Sequence, residues 1–227
     1  MHAAGFTNFN LDLMHGLPNQ TIDDALFDIK TALALSPTHL SWYQLTIEPN
    51  TLFAHSPPQL PPDDLIWDMQ TRCYDLLATH NFAQYEISAY SQPNKQCVHN
   101  YNYWQFGDYL GIGAGAHGKL TDADTQSITR LWKVKNPKDY LANSFIGGEQ
   151  IIAKNELAFE FMLNALRLYQ TIPAALFETR TGLQLTDIAS CLNKAQEKKL
   201  LIWDNNSIQP SDLGRRFYND LVGMFIA

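Results

Sequence analysis

The chain has 227 residues, 45% of them hydrophobic and 17% charged, with a formal net charge of -7 and a pI near 5.4. That length allows one large domain or two small ones, and the apolar share excludes a disordered chain. The acidic balance argues against sequence-independent nucleic-acid binding, which needs Lys and Arg to displace counterions from phosphates.

In chain order, Met1 to Phe6 reads as the last turn of a helix closed by Gly5 in the left-handed conformation. The opening on a helix stub predicts a domain whose beginning lies outside this sequence. Phe9 to Met14 reads as a buried strand and Gly16-Leu17-Pro18-Asn19 as its exit loop. Thr21, with Asp24 three residues on, is an N-cap signal. Ile22, Leu26, Ile29 and Leu33 then keep helical spacing until Pro37. His39 to Leu45 is a second strand, Leu52 to Pro62 a proline-rich loop, Asp63 to His80 a second amphipathic helix and Ala83 to Ile87 a third strand.

This alternation predicts parallel strands joined by crossover helices, with ligands gathering beyond the carboxyl ends of the strands. Asp12, Thr46, Glu48, Glu86 and Ser88 fall there. Each of them also suits helix capping or loop hydrogen bonding.

Cys97 to Gly118 (CVHNYNYWQFGDYLGIGAGAHG) is the densest stretch in imidazoles, aromatic rings and glycines. It reads as a site for a flat or nucleotide-like ligand. Tyr109 to Ile112 is predicted as a strand and the glycines after it as an open backbone that a ligand can approach. Gly113 to Gly118 fits GxGxxG, but the polar segment that follows makes a poor helix, so a dinucleotide site is rejected. His99 and His117 are candidate iron ligands, with Tyr101, Tyr103 and Trp104 offering faces to a porphyrin. The alternative for each histidine is a tie to a backbone carbonyl within an aromatic subcore.

Thr121 to Trp132 suggests a hairpin and Asn136 to Leu141 a short helix. Ile146-Gly147-Gly148 suggests a boundary, giving domains at 1–148 and 149–227. Helices then follow at Glu156 to Tyr169, Pro173 to Thr179 and Thr186 to Leu200, with a hairpin at Leu201 to Gln209 and a last helix at Asp212 to Phe225. Helices followed by a two-stranded wing resemble a winged helix. Glu197, Asp204, Asp212 and Asp220 interrupt its basic residues, so DNA binding is disfavoured.

The three cysteines, Cys73, Cys97 and Cys191, are widely spaced and form no CxxC or CxxxCxxC. The odd number favours a reduced cytoplasmic setting over a disulfide scaffold.

Several motifs together carry a family resemblance. Asn10 to Met14, Gly16-Leu17-Pro18 and Gln20-Thr21 resemble the NLDLMxGLPxQT motif of the oxygen-independent coproporphyrinogen III oxidase-like radical SAM family. Leu45 to Pro49, Tyr85 to Ser88 and the DYLGxGxGAHG run at Asp108 to Gly118 are similar to the same family. His99 to Trp104 resembles the HNxxYW motif of its HemW branch, the haem chaperones.

The resemblance implies an α/β fold: the C-terminal part of a partial (β/α) radical SAM barrel followed by a mainly helical, winged-helix-like domain. It implies S-adenosylmethionine at Asp12, Thr46 and His117. It implies haem at His99, Tyr103 and Trp104, with His99 on the iron. The family's [4Fe-4S] cluster is held by a CxxxCxxC loop near the start of the barrel, which is not in this sequence. His15 departs from the aromatic or aliphatic residue usual in the motif.

Two functions follow from the resemblance. One is a haem chaperone that passes haem to acceptor proteins, respiratory and membrane-associated ones among the candidates, with a homodimer as a candidate assembly. The other is oxidative decarboxylation of coproporphyrinogen III, for which this chain lacks cluster ligands. A third reading is a nonfunctional fragment of such a protein.

Overall fold

A computed structural model describes residues 1–142 and 145–226. The chain divides into two compact units, Met1–Cys97 and Val98–Ala227.

The first unit opens with a single 3-10 turn, His2–Ala4, closed by Gly5 at φ 83°. Strand β1 (Asn10–His15) leads to helix α1 (Ile22–Ala34). Thr21 and Asp24 form the capping box: the Thr21 hydroxyl accepts from Asp24 N and the Asp24 carboxylate accepts from Thr21 N. Bonds donated to the Asp24 carboxylate, by the Thr21 hydroxyl first and the Thr21 amide second, hold that carboxyl below its ordinary value. Strand β2 (His39–Gln44) lies parallel to β1, with Asp12 opposite Ser41. A short helix, α2 (Leu52–His55), interrupts the segment expected to be loop, capped by the Thr51 hydroxyl. Helix α3 (Asp63–Thr79) buries Ile66, Met69, Cys73 and Leu77 at helical spacing.

The third expected strand, β3 (Ala83–Glu86), does not pair with β2. A tight turn returns the chain as β4 (Ala89–Ser91), which lies antiparallel between them, so the sheet order is β1-β2-β4-β3. The turn explains Glu86 and Ser88. Glu86 is buried, and its carboxylate accepts from both Ser88 N and Ser88 Oγ. It holds the turn rather than facing a ligand.

The sheet has two unlike faces because its strands alternate. Leu11, Leu13, Leu40, Trp42 and Tyr90 pack on Ala25, Ile29 and Ala32 of α1 and on Met69, Cys73 and Leu77 of α3. Fully buried side chains such as Leu40 each contribute about 1.5–3 kcal/mol. The residues between them, Asn10, Asp12 and Ser41, face the other way and are polar.

The second unit begins with helix α4 (Val98–Trp104), which carries the HNxxYW residues. Strands β5 (His117–Asp122) and β6 (Ser127–Lys133) form the expected hairpin. After helix α5 (Pro137–Leu141), strand β7 (Ile146–Ile151) adds to β6, giving an antiparallel sheet β5-β6-β7. The expected division at 148/149 thus falls inside a strand. Its glycines serve packing: a Cβ on Gly148 would stand 2.2 Å from the Trp132 ring and one on Gly147 2.9 Å from it.

Helices α6 (Leu157–Ala165), α7 (Ala174–Thr181) and α8 (Ala189–Glu197) follow. Between α6 and α7 runs the short strand β8 (Ile172–Pro173), and the wing is β9 (Leu201–Trp203) with β10 (Ser207–Pro210). These pair in the order β8-β10-β9. The last predicted helix is broken at Phe217 into α9 (Asp212–Arg216) and α10 (Tyr218–Gly223). One core joins Phe106 and Ile128 to Phe161, Phe177, Leu192, Ile208 and Leu221. The β5-β6-β7 sheet therefore shares its interior with the C-terminal helices.

Candidate functional site

On the polar face of the first sheet, Asn10 Nδ2 donates to Asp12 Oδ1 at 2.7 Å. Asn10 Oδ1 then faces Ser41 Oγ at 3.2 Å and His39 Nδ1 at 2.7 Å. The other ring nitrogen of His39 lies 2.8 Å from the Tyr85 hydroxyl, to which Cys97 N donates at 3.4 Å. His39 is 5% exposed, and burial holds its imidazole below the ordinary value against the opposing pull of the Asp12 carboxylate. The row fixes one oxygen of an exposed carboxylate and leaves the other open to solvent.

Thr46 stands beyond the end of β2, exposed, its hydroxyl 3.5 Å from Gln44 O. An exposed carboxylate and hydroxyl on a polar sheet face fit the hydroxyl and ammonium groups of a nucleoside-amino acid such as S-adenosylmethionine. The sequence reading named Asp12 and Thr46 but missed Asn10, His39 and Tyr85. The polar residues at period two in NLD and HLS were the signal for the first two.

A cluster finds no such fit. Cys73 is buried in the apolar core, and burial pushes its thiol up to about 12. Cys97 and Cys191 lie in different units. Among the described residues no three His, Cys, Asp or Glu side chains gather as metal ligands.

In the second unit, α4 sorts the HNxxYW residues onto different faces. His99 and Tyr103, four apart, share one face with ring centroids 6.4 Å apart, and His99 is exposed. Tyr103 reaches Tyr109 at 4.9 Å and Trp104 edge-on at 5.0 Å. Trp104 is turned inward, with the Arg167 guanidinium 4.3 Å above its ring. Asn102 closes the end of the helix, where its side-chain amide donates to Asp108 O and its main-chain carbonyl accepts from Gly107 N. Phe106 takes φ 55° there, an uncommon conformation held by burial of its ring against Phe161.

The glycine run is not a strand followed by an exit. Tyr109 makes only an isolated bridge to Lys119, and the strand, β5, comes after the glycines. Gly113 and Gly115 take φ 110° and 72°, which break extended backbone. Gly111 packs on the His117 carbonyl, where a Cβ would come within 2.2 Å. The loop is tied at its base by Asp108, which accepts from Lys119 Nζ, Thr121 N and Thr121 Oγ1. These bonds hold the Asp108 carboxyl below its ordinary value despite the opposing and largest influence, burial. His117 is the exposed first residue of β5, in the second unit, whereas Asp12 and Thr46 lie in the first.

The comparisons with known proteins agree with the motifs. Residues 152–217 match the HemN C-terminal domain. Over 98% of its length the chain is 47% identical to the heme chaperone HemW of Haemophilus influenzae, and over 98% it is 44% identical to that of Escherichia coli. The chain is similar to the HemW proteins over nearly its whole length. It spans 58% and 59% of those two relatives, and 60% of the heme chaperone HemW of Bacillus subtilis, to which it is 30% identical.

The solved structure of coproporphyrinogen III oxidase (HemN) from Escherichia coli, described as a radical SAM enzyme, matches with a TM-score of 0.76. At 17% identity, over 100% of this chain and 56% of that one, the match shows the fold. The α/β architecture matches part of that fold, with an open four-stranded sheet in the first unit. Among the described residues no helix is long and apolar enough to cross a membrane.

Proposed function

We propose that the chain belongs to a haem chaperone and holds haem through α4, with His99 on the iron and Tyr103 and Trp104 beside the porphyrin. The observation that carries this is an exposed histidine, one helical turn from a tyrosine, within the HNYNYW residues of a chain 47% identical to a heme chaperone. An imidazole free of the core can ligate iron without first breaking a structural bond. Tyr103 supports the site from its neighbours Tyr109 and Trp104.

The proposal includes transfer of haem to acceptor proteins in the cytoplasm or at a membrane surface, and a homodimer as one working form. It also includes S-adenosylmethionine at Asp12, Thr46 and His117. When bound, that cofactor would supply an adenosyl group and a sulfonium charge, and the Asp12 carboxylate, oriented by Asn10, would accept its hydroxyl or ammonium protons. The names of the relatives favour the chaperone over decarboxylation of coproporphyrinogen, because the likeness to that oxidase is one of fold.

Haem titration of the chain and of His99→Ala tests the reading. The expected result is a Soret band in the wild type that shifts and weakens in the variant. Equal affinity with an unshifted band would remove His99 from the iron.

A further inference from the structure

Beside the His99–Tyr103 row lies a small pocket lined by Tyr103, Phe106, Tyr109, Lys119, Arg130 and Asn164. Its chemistry is unlike that of the aromatic surface leading to it. Lys119 is 3% exposed, its ammonium 3.0 Å from Asp108 Oδ1 and 4.2 Å over the Phe106 ring. A positive charge is thus fixed in the floor, where it cannot swing out to solvent. Arg130 stands opposite Lys119 in the β5–β6 register, its side chain 41% exposed. It is paired with Glu160 through one terminal nitrogen. A guanidinium has five N–H donors in a planar fork, so this pairing leaves donors for a second carboxylate. The rings of Tyr103 and Tyr109 flank the same space, and their hydroxyls are hydrogen-bonded to each other, so the pair has one phenolic O–H to offer.

Two cations, two phenols and a small volume suit one planar anion. Haem carries two such groups, its propionates, at the edge of the macrocycle away from the iron. The row His99–Tyr103–Tyr109, with centroid steps of 6.4 and 4.9 Å, runs from the proposed iron ligand to this pocket.

We propose that the pocket under Tyr103 and Tyr109 receives a propionate carboxylate of the bound porphyrin, with Arg130 as its charged partner and Lys119 as a fixed charge behind it. The inference rests on the haem reading above and adds to it the group that orients the macrocycle on α4. Propionate and Glu160 would share the Arg130 fork, and the free O–H of the phenol pair would donate to the remaining oxygen. A site built to pair with a carboxylate discriminates strongly against a ligand that lacks one, because its donors are then left without an acceptor.

The test titrates haem and haem dimethyl ester into the whole chain. The esterified ligand keeps the iron and the ring but has no carboxylate. The wild type is expected to bind the free acid about tenfold or more tightly than the ester, in line with a charge-assisted hydrogen bond. Arg130→Gln is expected to lose that preference while the Soret position stays, since His99 is untouched. Tyr103→Phe, which keeps the ring, is expected to lose part of it, and it decides the matter should Arg130→Gln fail to fold. A wild type without preference, or an Arg130→Gln or Tyr103→Phe protein with the full preference, overturns the pocket and leaves the haem reading standing. A wild type that binds neither ligand overturns the haem reading itself, and the pocket with it.

Discussion

His39 Nδ1 lies 2.7 Å from Asn10 Oδ1, and the amide nitrogen of the same asparagine is already committed to Asp12. That commitment fixes the tautomer. Asn10 Oδ1 can only accept, so His39 Nδ1 carries the proton and Nε2 accepts from the Tyr85 hydroxyl 2.8 Å away. An imidazolium would donate from both nitrogens, so it is burial, which favours the neutral ring at His39, that selects this arrangement. Nitrogen-15 spectra at neutral pH are expected to show His39 protonated at Nδ1 alone. Asn10→Ala leaves a buried ring N–H without its acceptor and is expected to cost about 1–3 kcal/mol in urea unfolding. An unchanged midpoint would show that the row is not a structural device.

This row shows where reading the sequence succeeds and where it stops. The helices over Ile22–Ala34 and Asp63–Thr79 are legible because apolar period and capping residues agree. The partnering of Asn10 with His39 is not, because it depends on which strand lies beside β1 and in what register. Strand β4 escapes for a different reason: its three residues are all buried, so they show no alternation. The glycine loop misleads in the opposite direction. Tyr109-Leu110-Gly111-Ile112 alternates like a strand, yet Leu110 and Ile112 are 73% and 85% exposed. The motif residues of α4 could be named from sequence. That Trp104 turns inward beneath Arg167 while His99 stays outside follows only from the helix's placement against the core.

His15 makes stability of the first unit depend on pH. It is 3% exposed, its ring centroid 4.2 Å from that of Trp42, and burial lowers its imidazole from 6.5 to about 4. Its Nδ1 and Trp42 Nε1 are both buried without a partner among the described residues. Between pH 6.5 and 4 the unfolded chain takes up a proton that the folded chain refuses. Stability is therefore full above pH 6.5 and falls as pH drops toward 4, by about 3 kcal/mol from this group. His39 acts in the same direction. Replacing His15 by Leu is expected to flatten this part of the slope, as read from urea midpoints at pH 7 and pH 4.5. A slope as steep as that of the wild type would assign the acid sensitivity elsewhere.

The cysteines are expected to react in two classes. Cys73 is 0% exposed within α3 and its thiol is pushed up to about 12, so at neutral pH it is neither ionised nor reachable. Cys97 and Cys191 are partly exposed. A thiol reagent applied to the native chain should label these two, and Cys73 only after denaturant is added. Prompt labelling of Cys73 would mean that the α1–α3 packing opens in solution.

Two glycines of the C-terminal helices should respond to alanine in opposite ways. A Cβ on Gly214 would stand 1.8 Å from the carbonyl oxygen of Leu200, and that oxygen accepts from Ser211 N. The obstruction is backbone at the foot of the wing, so no side-chain rotation relieves it. Gly214→Ala is expected to cost about 2–3 kcal/mol. Gly223 ends α10 with nothing within 4 Å of its Cβ position. It also lies outside the positive-φ glycines. Alanine there narrows the unfolded ensemble without a clash and should gain about 0.5–1 kcal/mol. Thermal unfolding of the two variants should move to either side of the wild type. A Gly214→Ala protein melting with the wild type would mean that the α9–wing contact is looser than this close approach requires.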